Sequence, residues 1–426
     1  MDNHTLLERR YRVLGRNSPL FYDKPLNLVR GEGVWVYDAD GKRYLDAYNN
    51  VPHVGHCHPH VVAALSRQAA ILNTHTRYLH EEIVAYAERL TATFEPSLAM
   101  AMFTCTGSEA NELALRIVRE CSGGMGVIGT AHAYHGNTSA VIKLGSVFTP
   151  PEKRGPYVRT VAVMDPYRDR AGRSDAELAT AYADDVKRAI DSFAAAGVPF
   201  AGLLFCTSFS SEGLPTLPEG YMSKALAHVH AAGGFFIADE VQSGFGRLGS
   251  HMWGYQKLGV VPDIVTLGKP MGNGHPIAGV VARRDLVERF TAENMYFNTF
   301  AGNPVSAAVG MAVLDVLENE RLVENALVVG RYTLARLAAL ADKYQIIGDV
   351  RGAGLFFAVD LVRDRKTKAP ASAETKQLVN LMRDRGVLIS RIGPADNILK
   401  IRPPMPFSRD NADHLINTLD DVFREL

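Results

Sequence analysis

Residues 100–122 read MAMFTCTGSEANELALRIVRECS, and the change of period inside them decides the fold. Met100–Cys105 is a near-continuous apolar run, as expected of a strand covered on both faces. After Gly107 the apolar residues fall at Ala110, Leu113, Ala114, Ile117 and Val118, a spacing that predicts a helix with one buried side. A strand that turns through one glycine into a helix is the unit of an open α/β sheet. The alternation continues in AGLLFC (201–206), GGFFIADEV (233–241) and PDIVTLGK (262–269). Residues 51–303 therefore read as a large, doubly wound, mostly parallel α/β domain.

The flanks read differently. A long helical region near Pro304–Tyr344 leads into GLFFAVDLV (354–362) and VLIS (387–390), which predicts a smaller α+β unit over 304–426. GVWVYDADGKRYLD (33–46) predicts a hairpin around Asp40-Gly41, and residues 1–50 are expected to pack with the smaller unit.

The chain has 426 residues, of which 46 are Lys or Arg and 46 are Asp or Glu, so the formal net charge is zero. With no long basic run, it lacks the electrostatic footprint of a general nucleic-acid binder. A small cationic site inside a neutral protein is still allowed. The N-terminus lacks the apolar core and cleavage site of a secretory signal, and no stretch is long and apolar enough to span a bilayer. Cys57, Cys105, Cys121 and Cys206 form no CxxC pair, which fits a reducing compartment. The expectation is a cytoplasmic protein with neither nucleic acid nor membrane as partner.

Some motifs match a pattern but not its context. GFGRLG (244–249) fits the dinucleotide-binding expression, yet it does not join a strand directly to a helix. His80-Glu81 is followed at the fifth position by Val84 and not His, so zinc is unsupported. His56-Cys57-His58 alternates in a loop before Pro59 and reads as a turn. No metal site is expected.

Three other segments carry chemistry. In Thr106-Gly-Ser-Glu-Ala-Asn111 a strand ends and a helix begins, and open N–H groups at a helix start bind phosphate; Ser is also a good N-cap. Ile237-Ala-Asp-Glu-Val-Gln242 puts an acidic pair at the carboxyl end of a buried strand, where ligands of open α/β sheets gather. Asp239 there could hold a protonated ring nitrogen, or serve as a cap or loop ion pair. In Leu267-Gly-Lys-Pro-Met-Gly-Asn-Gly-His-Pro276, Lys269 sits in a glycine-rich turn after a strand. An amine there can form a Schiff base and carry protons if its surroundings lower its pKa.

Together these segments resemble the class III pyridoxal-phosphate aminotransferase family, and the likeness spans nearly the whole chain. It implies the fold type I architecture of PLP-dependent transferases, pyridoxal 5′-phosphate as cofactor and Lys269 as the lysine that carries it. It further implies Asp239 as partner of the pyridine nitrogen, Val241 behind the ring and Gln242 near its hydroxyl. Gly107 and Ser108 match the phosphate cradle, and Tyr134 in AYHG the stacked aromatic. Thr299 in NTFAGNP matches a residue that reaches the neighbouring subunit's cofactor phosphate, so the resemblance implies a homodimer with a shared active site.

Two departures from the family pattern bear on the reaction. Many members hold a substrate carboxylate with Arg in an R-x-x-P-P segment, whereas Leu-Lys400-Ile-Arg402-Pro-Pro404 places lysine there. The segment that commonly carries Glu is here Cys206-Thr-Ser-Phe-Ser-Ser-Glu-Gly213, which supplies hydroxyls and favours an anionic substrate. Asn49-Asn50 with PHVGHCHP (52–59), the stretch Leu72–His80, GKPMGNGHP (268–276) and YFNTFAGNPVS (296–306) look most similar to the ethanolamine-phosphate phospho-lyase branch. That likeness implies a lyase releasing phosphate from a phosphorylated amine, with Arg77 as first candidate for the substrate phosphate, then Lys400 and Arg402, and with Asn50 at the substrate. The alternatives are an aminotransferase for ω-amino or α-amino acids and, in another class, a cofactor-binding sensor without turnover.

Overall fold

A capping box starts the helix Gly107–Ser122: Thr106 Oγ1 accepts the Glu109 N–H at 3.2 Å, and Glu109 Oε2 accepts the Thr106 N–H at 3.0 Å. This reciprocal pairing satisfies two of the donors that every helix start leaves open. The apolar stripe from Ala110 to Val118 is buried. Burial of each large member contributes about 1.5–3 kcal/mol, which fixes the helix against the sheet. The computed structural model describes residues 2–49, 51–145, 147 and 149–426.

The N-terminal strands β1 (Leu28–Glu32), β2 (Trp35–Asp38) and β3 (Arg43–Asp46) form consecutive antiparallel hairpins. The second turns at Gly41, whose φ of +82° suits glycine. The next strands are β4 (Met100–Thr104), β5 (Gly126–Thr130), β6 (Val158–Val161), β7 (Phe200–Cys206), β8 (Phe235–Asp239), β9 (Ile264–Leu267) and β10 (Ala278–Ala282). They build one seven-stranded sheet in the order β4-β10-β9-β8-β7-β5-β6. It is parallel throughout except at β10, which runs antiparallel to both its neighbours. Helices cover both faces, so β5, β9 and β10 are buried along their whole length.

The C-terminal strands are β11 (Ile347–Ala353), β12 (Phe356–Asp364), β13 (Ala369–Pro370), β14 (Val387–Leu388), β15 (Ser390–Ile392) and β16 (Ile398–Ile401). Strands β11, β12, β16 and β15 form an antiparallel sheet with β13 on the side of β12, while β14 pairs in parallel with β3. The helical region expected near Pro304–Tyr344 is two helices, Pro304–Asn319 and Leu322–Lys343. Arg321 between them has a φ of +51°, a left-handed backbone that interrupts the helix.

The register of the parallel strands gathers chemistry at one edge. Cys206 stands opposite Asp239, and Asp239 opposite Thr266. The loops after β7, β8 and β9 therefore leave the sheet side by side, at the carboxyl edge where open α/β sheets bind ligands.

Candidate active site

A cavity of about 180 Å³ opens at that edge, lined by Gly107, Ser108, Tyr134, His135, Gly136, Asp239, Val241, Gln242 and Lys269. Asp239 is buried, and its two oxygens are held by three elements. Oδ1 accepts the Val241 N–H at 3.0 Å. Oδ2 lies 2.7 Å from His135 Nδ1 and accepts from Asn111 Nδ2 at 3.1 Å. Asn111 is fixed in turn, donating to the His135 carbonyl at 2.7 Å and accepting from Thr266 Oγ1 at 2.7 Å. A carboxylate only accepts, so His135 donates through Nδ1. Its Nε2 is buried without a partner among the described residues.

Lys269 follows β9 with a φ of +31°, a conformation that costs free energy in a residue with a side chain. Such strain gathers at functional sites. Burial, with the charge of Arg402, pushes its amine down to about 8, while Asp239 and Cys206 pull the other way. An ordinary lysine is almost wholly charged near neutrality; this one carries a neutral fraction able to act as nucleophile and base.

The helix start is free for an anion. Thr106 occupies the N-cap, so Ser108 lies within the first turn, where its Oγ accepts the Asn137 N–H at 3.1 Å. A Cβ on Gly136 would lie 2.5 Å from Ser108 Oγ, and one on Gly107 would lie 3.1 Å from Val241. Glycine at both positions keeps the floor of the cavity open.

Behind Gln242 lies a cluster of buried cations. Lys400 and Arg402 stand two residues apart, so strand alternation puts them on one face while Leu399 and Ile401 enter the core. Lys400 Nζ donates to Gln242 Oε1 at 3.2 Å, Arg402 Nη1 donates to the same oxygen, and Gln242 Nε2 donates to Ser210 Oγ at 2.5 Å. Among the described residues neither cation has a carboxylate within ion-pair distance. Burial and mutual repulsion push Lys400 well below the usual lysine range, and burial pushes Arg402 down to about 10. Arg247, from the glycine-rich 244–249 stretch, is buried close behind, with its guanidinium on the carbonyls of Leu355 and Pro403 and on His53 Nδ1. That stretch anchors the C-terminal segment, which answers the motif's poor context.

The sequence-predicted residues divide into three groups. Gly107, Ser108, Tyr134, Asp239, Val241, Gln242 and Lys269 meet around one cavity, and Lys400 and Arg402 meet at Gln242. Arg77 and Thr299 are exposed and outside the cavity lining; Arg77 lies with its guanidinium 3.8 Å over the Phe297 ring. Asn50 lies outside the described residues. The sequence reading missed His135 and Asn111. The histidine directly follows Tyr134 in AYHG, and Asn111 sits one helical turn past Gly107, on the side facing β8. His56 and His58 diverge, onto Asp46 and Glu320.

A family model for class III aminotransferases matches residues 21–423. The chain belongs to the class III aminotransferase family. A phospholyase from Arthrobacter, solved in complex with phosphoethanolamine, is 49% identical with a TM-score of 0.96 and covers 99% of this chain and 100% of that one. An (S)-enantioselective omega-transaminase from Thermomicrobium roseum is 29% identical with a TM-score of 0.89, covering 100% and 99%. Among curated relatives, an alanine–glyoxylate aminotransferase 2-like protein of Drosophila melanogaster is 41% identical over 96% of this chain and 85% of its own. Ethanolamine-phosphate phospho-lyase homolog 1 of Caenorhabditis elegans is 35% identical over 98% and 92%. This class III protein thus has the fold type I architecture, with pyridoxal 5′-phosphate as cofactor. The cavity fits that group: its floor is cleared by glycine, a buried carboxylate faces it, and Lys269 opens into it.

Proposed function

We propose that this class III enzyme is a lyase that removes phosphate from ethanolamine phosphate, giving acetaldehyde, ammonia and phosphate. The observation that carries the reading is the pair Lys400 and Arg402, buried at Gln242 with no carboxylate in contact among the described residues. Two buried cations so placed are costly, and an anionic substrate group offsets that cost. The neighbouring strand end adds Cys206 and Ser210 in place of an acid that would neutralise the pair. The phosphoethanolamine-bound relative supports the same substrate class.

Pyridoxal phosphate supplies, when bound, an electron sink for a carbanion beside the substrate nitrogen. Lys269 carries the cofactor, and its neutral amine removes the proton from that carbon. Asp239, whose Oδ2 is held by His135 and Asn111, would pair with the ring nitrogen. Val241 and Tyr134 would hold the ring, and Gly107 and Ser108 would receive the phosphate at the helix start. Lys400 and Arg402 hold the substrate phosphate.

Arg77 and Thr299 reach the site from the neighbouring subunit of a homodimer. Both belong to the same exposed region, with Leu79 at 102%, Met295 at 86% and Phe300 at 72% exposure. Exposed apolar side chains of this size favour a protein interface. No helix among the described residues is long and apolar enough to cross a membrane.

The second reading is an aminotransferase acting on ω-amino or α-amino acids, favoured by the identity to the alanine–glyoxylate aminotransferase 2-like relative. Incubation with ethanolamine phosphate, with and without pyruvate, separates the two. Phosphate and ammonia without pyruvate select the lyase; alanine that depends on pyruvate selects the aminotransferase.

A further inference from the structure

Breaking the carbon–oxygen bond of a phosphate monoester dianion leaves a problem that binding alone does not solve. The electron pair departs on the ester oxygen, and without a proton the product is a phosphate trianion, a very poor leaving group. A proton donor at that oxygen turns it into hydrogen phosphate dianion. Lys269 becomes an ammonium when it takes the proton from carbon and is then a rival donor, so the question is whether the phosphate end of the substrate has a donor of its own.

The partners of Gln242 narrow the choice. Its amide oxygen accepts from Lys400 Nζ at 3.2 Å and from Arg402 Nη1, and its amide nitrogen donates to Ser210. A guanidinium does not release protons at working pH. Ser210 is a neutral hydroxyl, and the Cys206 thiol beside it is pushed up by burial and by the charges of Asp239 and Glu212. Lys400 differs from all of these. It is buried, its partners in contact are one amide oxygen and the face of Phe356 at 5.5 Å, and it feels the charges of Arg402 and Lys269. Cys206 and Glu212 oppose those charges only from a distance. An ammonium so poorly stabilised gives up its proton readily, and a bound dianion keeps it charged until the bond breaks.

Resting on the lyase reading, we propose that Lys400 is the general acid of phosphate departure. The phosphoryl group takes the place of the Gln242 amide oxygen between the two cations. As the carbon–oxygen bond breaks, its electron pair stays on oxygen, and the Lys400 Nζ proton moves to that oxygen. Hydrogen phosphate dianion leaves, and the neutral lysine regains a proton from water. Lys269 and Lys400 thus act as base and acid in one turnover, two buried amines with opposite tasks.

The test uses the cofactor-loaded enzyme and two substrates of nearly the same shape. The sulfate ester of ethanolamine releases sulfate dianion, which needs no proton. Wild type, Lys400→Arg and Lys400→Gln are each assayed on the phosphate and sulfate esters, reading kcat and KM separately. Lys400→Arg keeps the cation at a position where family members commonly carry arginine, so it is a folded control that cannot donate a proton. The ratio of kcat on phosphate ester to kcat on sulfate ester falls by about 100-fold or more in both variants, the range of general-acid catalysis. For Lys400→Arg the KM for the phosphate ester stays within a few-fold of wild type. A ratio unchanged from wild type, or a loss in KM alone, overturns the general-acid role and leaves the lyase reading standing. Absence of phosphate release by wild type overturns both.

Discussion

His135 Nδ1 lies 2.7 Å from Asp239 Oδ2, and Asn111 holds the same oxygen at 3.1 Å. The carboxylate's direction is thus set by the protein before any ligand arrives. Asp239→Ala is expected to lower kcat by about 100- to 1,000-fold, as loss of a preorganised electrostatic partner does. His135→Leu removes one hydrogen bond to a charged group, worth about 1.5–3 kcal/mol, and is expected to lower kcat less. Steady-state kinetics of both variants decide it; equal losses would mean that the histidine does more than orient.

The lowered basicity of Lys269 gives a pH dependence. Burial and Arg402 disfavour the ammonium, so the neutral amine grows as pH rises through about 8. In cofactor-free enzyme, the rate at which added pyridoxal phosphate is taken up covalently is expected to climb between pH 7 and 9 with a midpoint near 8. Stopped-flow absorbance measures it; a midpoint near that of an ordinary lysine would refute the perturbation. Lys269→Ala is expected to lose that absorbance change.

Lys400, buried with no carboxylate partner among the described residues, is a burden on the fold. Lys400→Met keeps the length of the side chain and removes the buried charge. It is expected to raise stability by about 0.5–2 kcal/mol, the common size of a single stabilising substitution, while phosphate release is lost. Denaturant unfolding of the cofactor-free proteins checks this, and a destabilised variant would show that the cation is structural.

A shared site has a signature in mixtures. If Arg77 serves the neighbouring subunit's site, a mixed dimer of Arg77→Ala and Lys269→Ala gathers both defects in one site and leaves the other intact. Each variant alone is expected to be nearly inactive, and mixing under conditions that exchange subunits is expected to restore turnover. No recovery would place Arg77 outside the shared site.

The βα unit at 100–122 was legible because its two periods differ so sharply; the cap was not, since the N-cap is Thr106 and Ser108 lies in the first turn. Lys269, Asp239 and Ser108 were legible because each sits at a strand end or helix start, where local sequence dictates position. The substrate corner was harder. Arg77, Lys400 and Arg402 are all cations near apolar residues in the sequence, and nothing local says which are buried. Only the pairing of β16 with β12 and the bond to Gln242 bring Lys400 to the cavity edge. His135 escaped notice because its role depends on Asp239, 104 residues away, a contact made by sheet topology.

The most direct test of the central claim is the amount of phosphate released per active site from ethanolamine phosphate with no keto acid present. A lyase regenerates its cofactor in every cycle, so phosphate is expected to exceed the enzyme many times over while the cofactor absorbance returns to its starting form. Conversion of the cofactor to its amine form after a single turnover, with no phosphate released, would contradict the account.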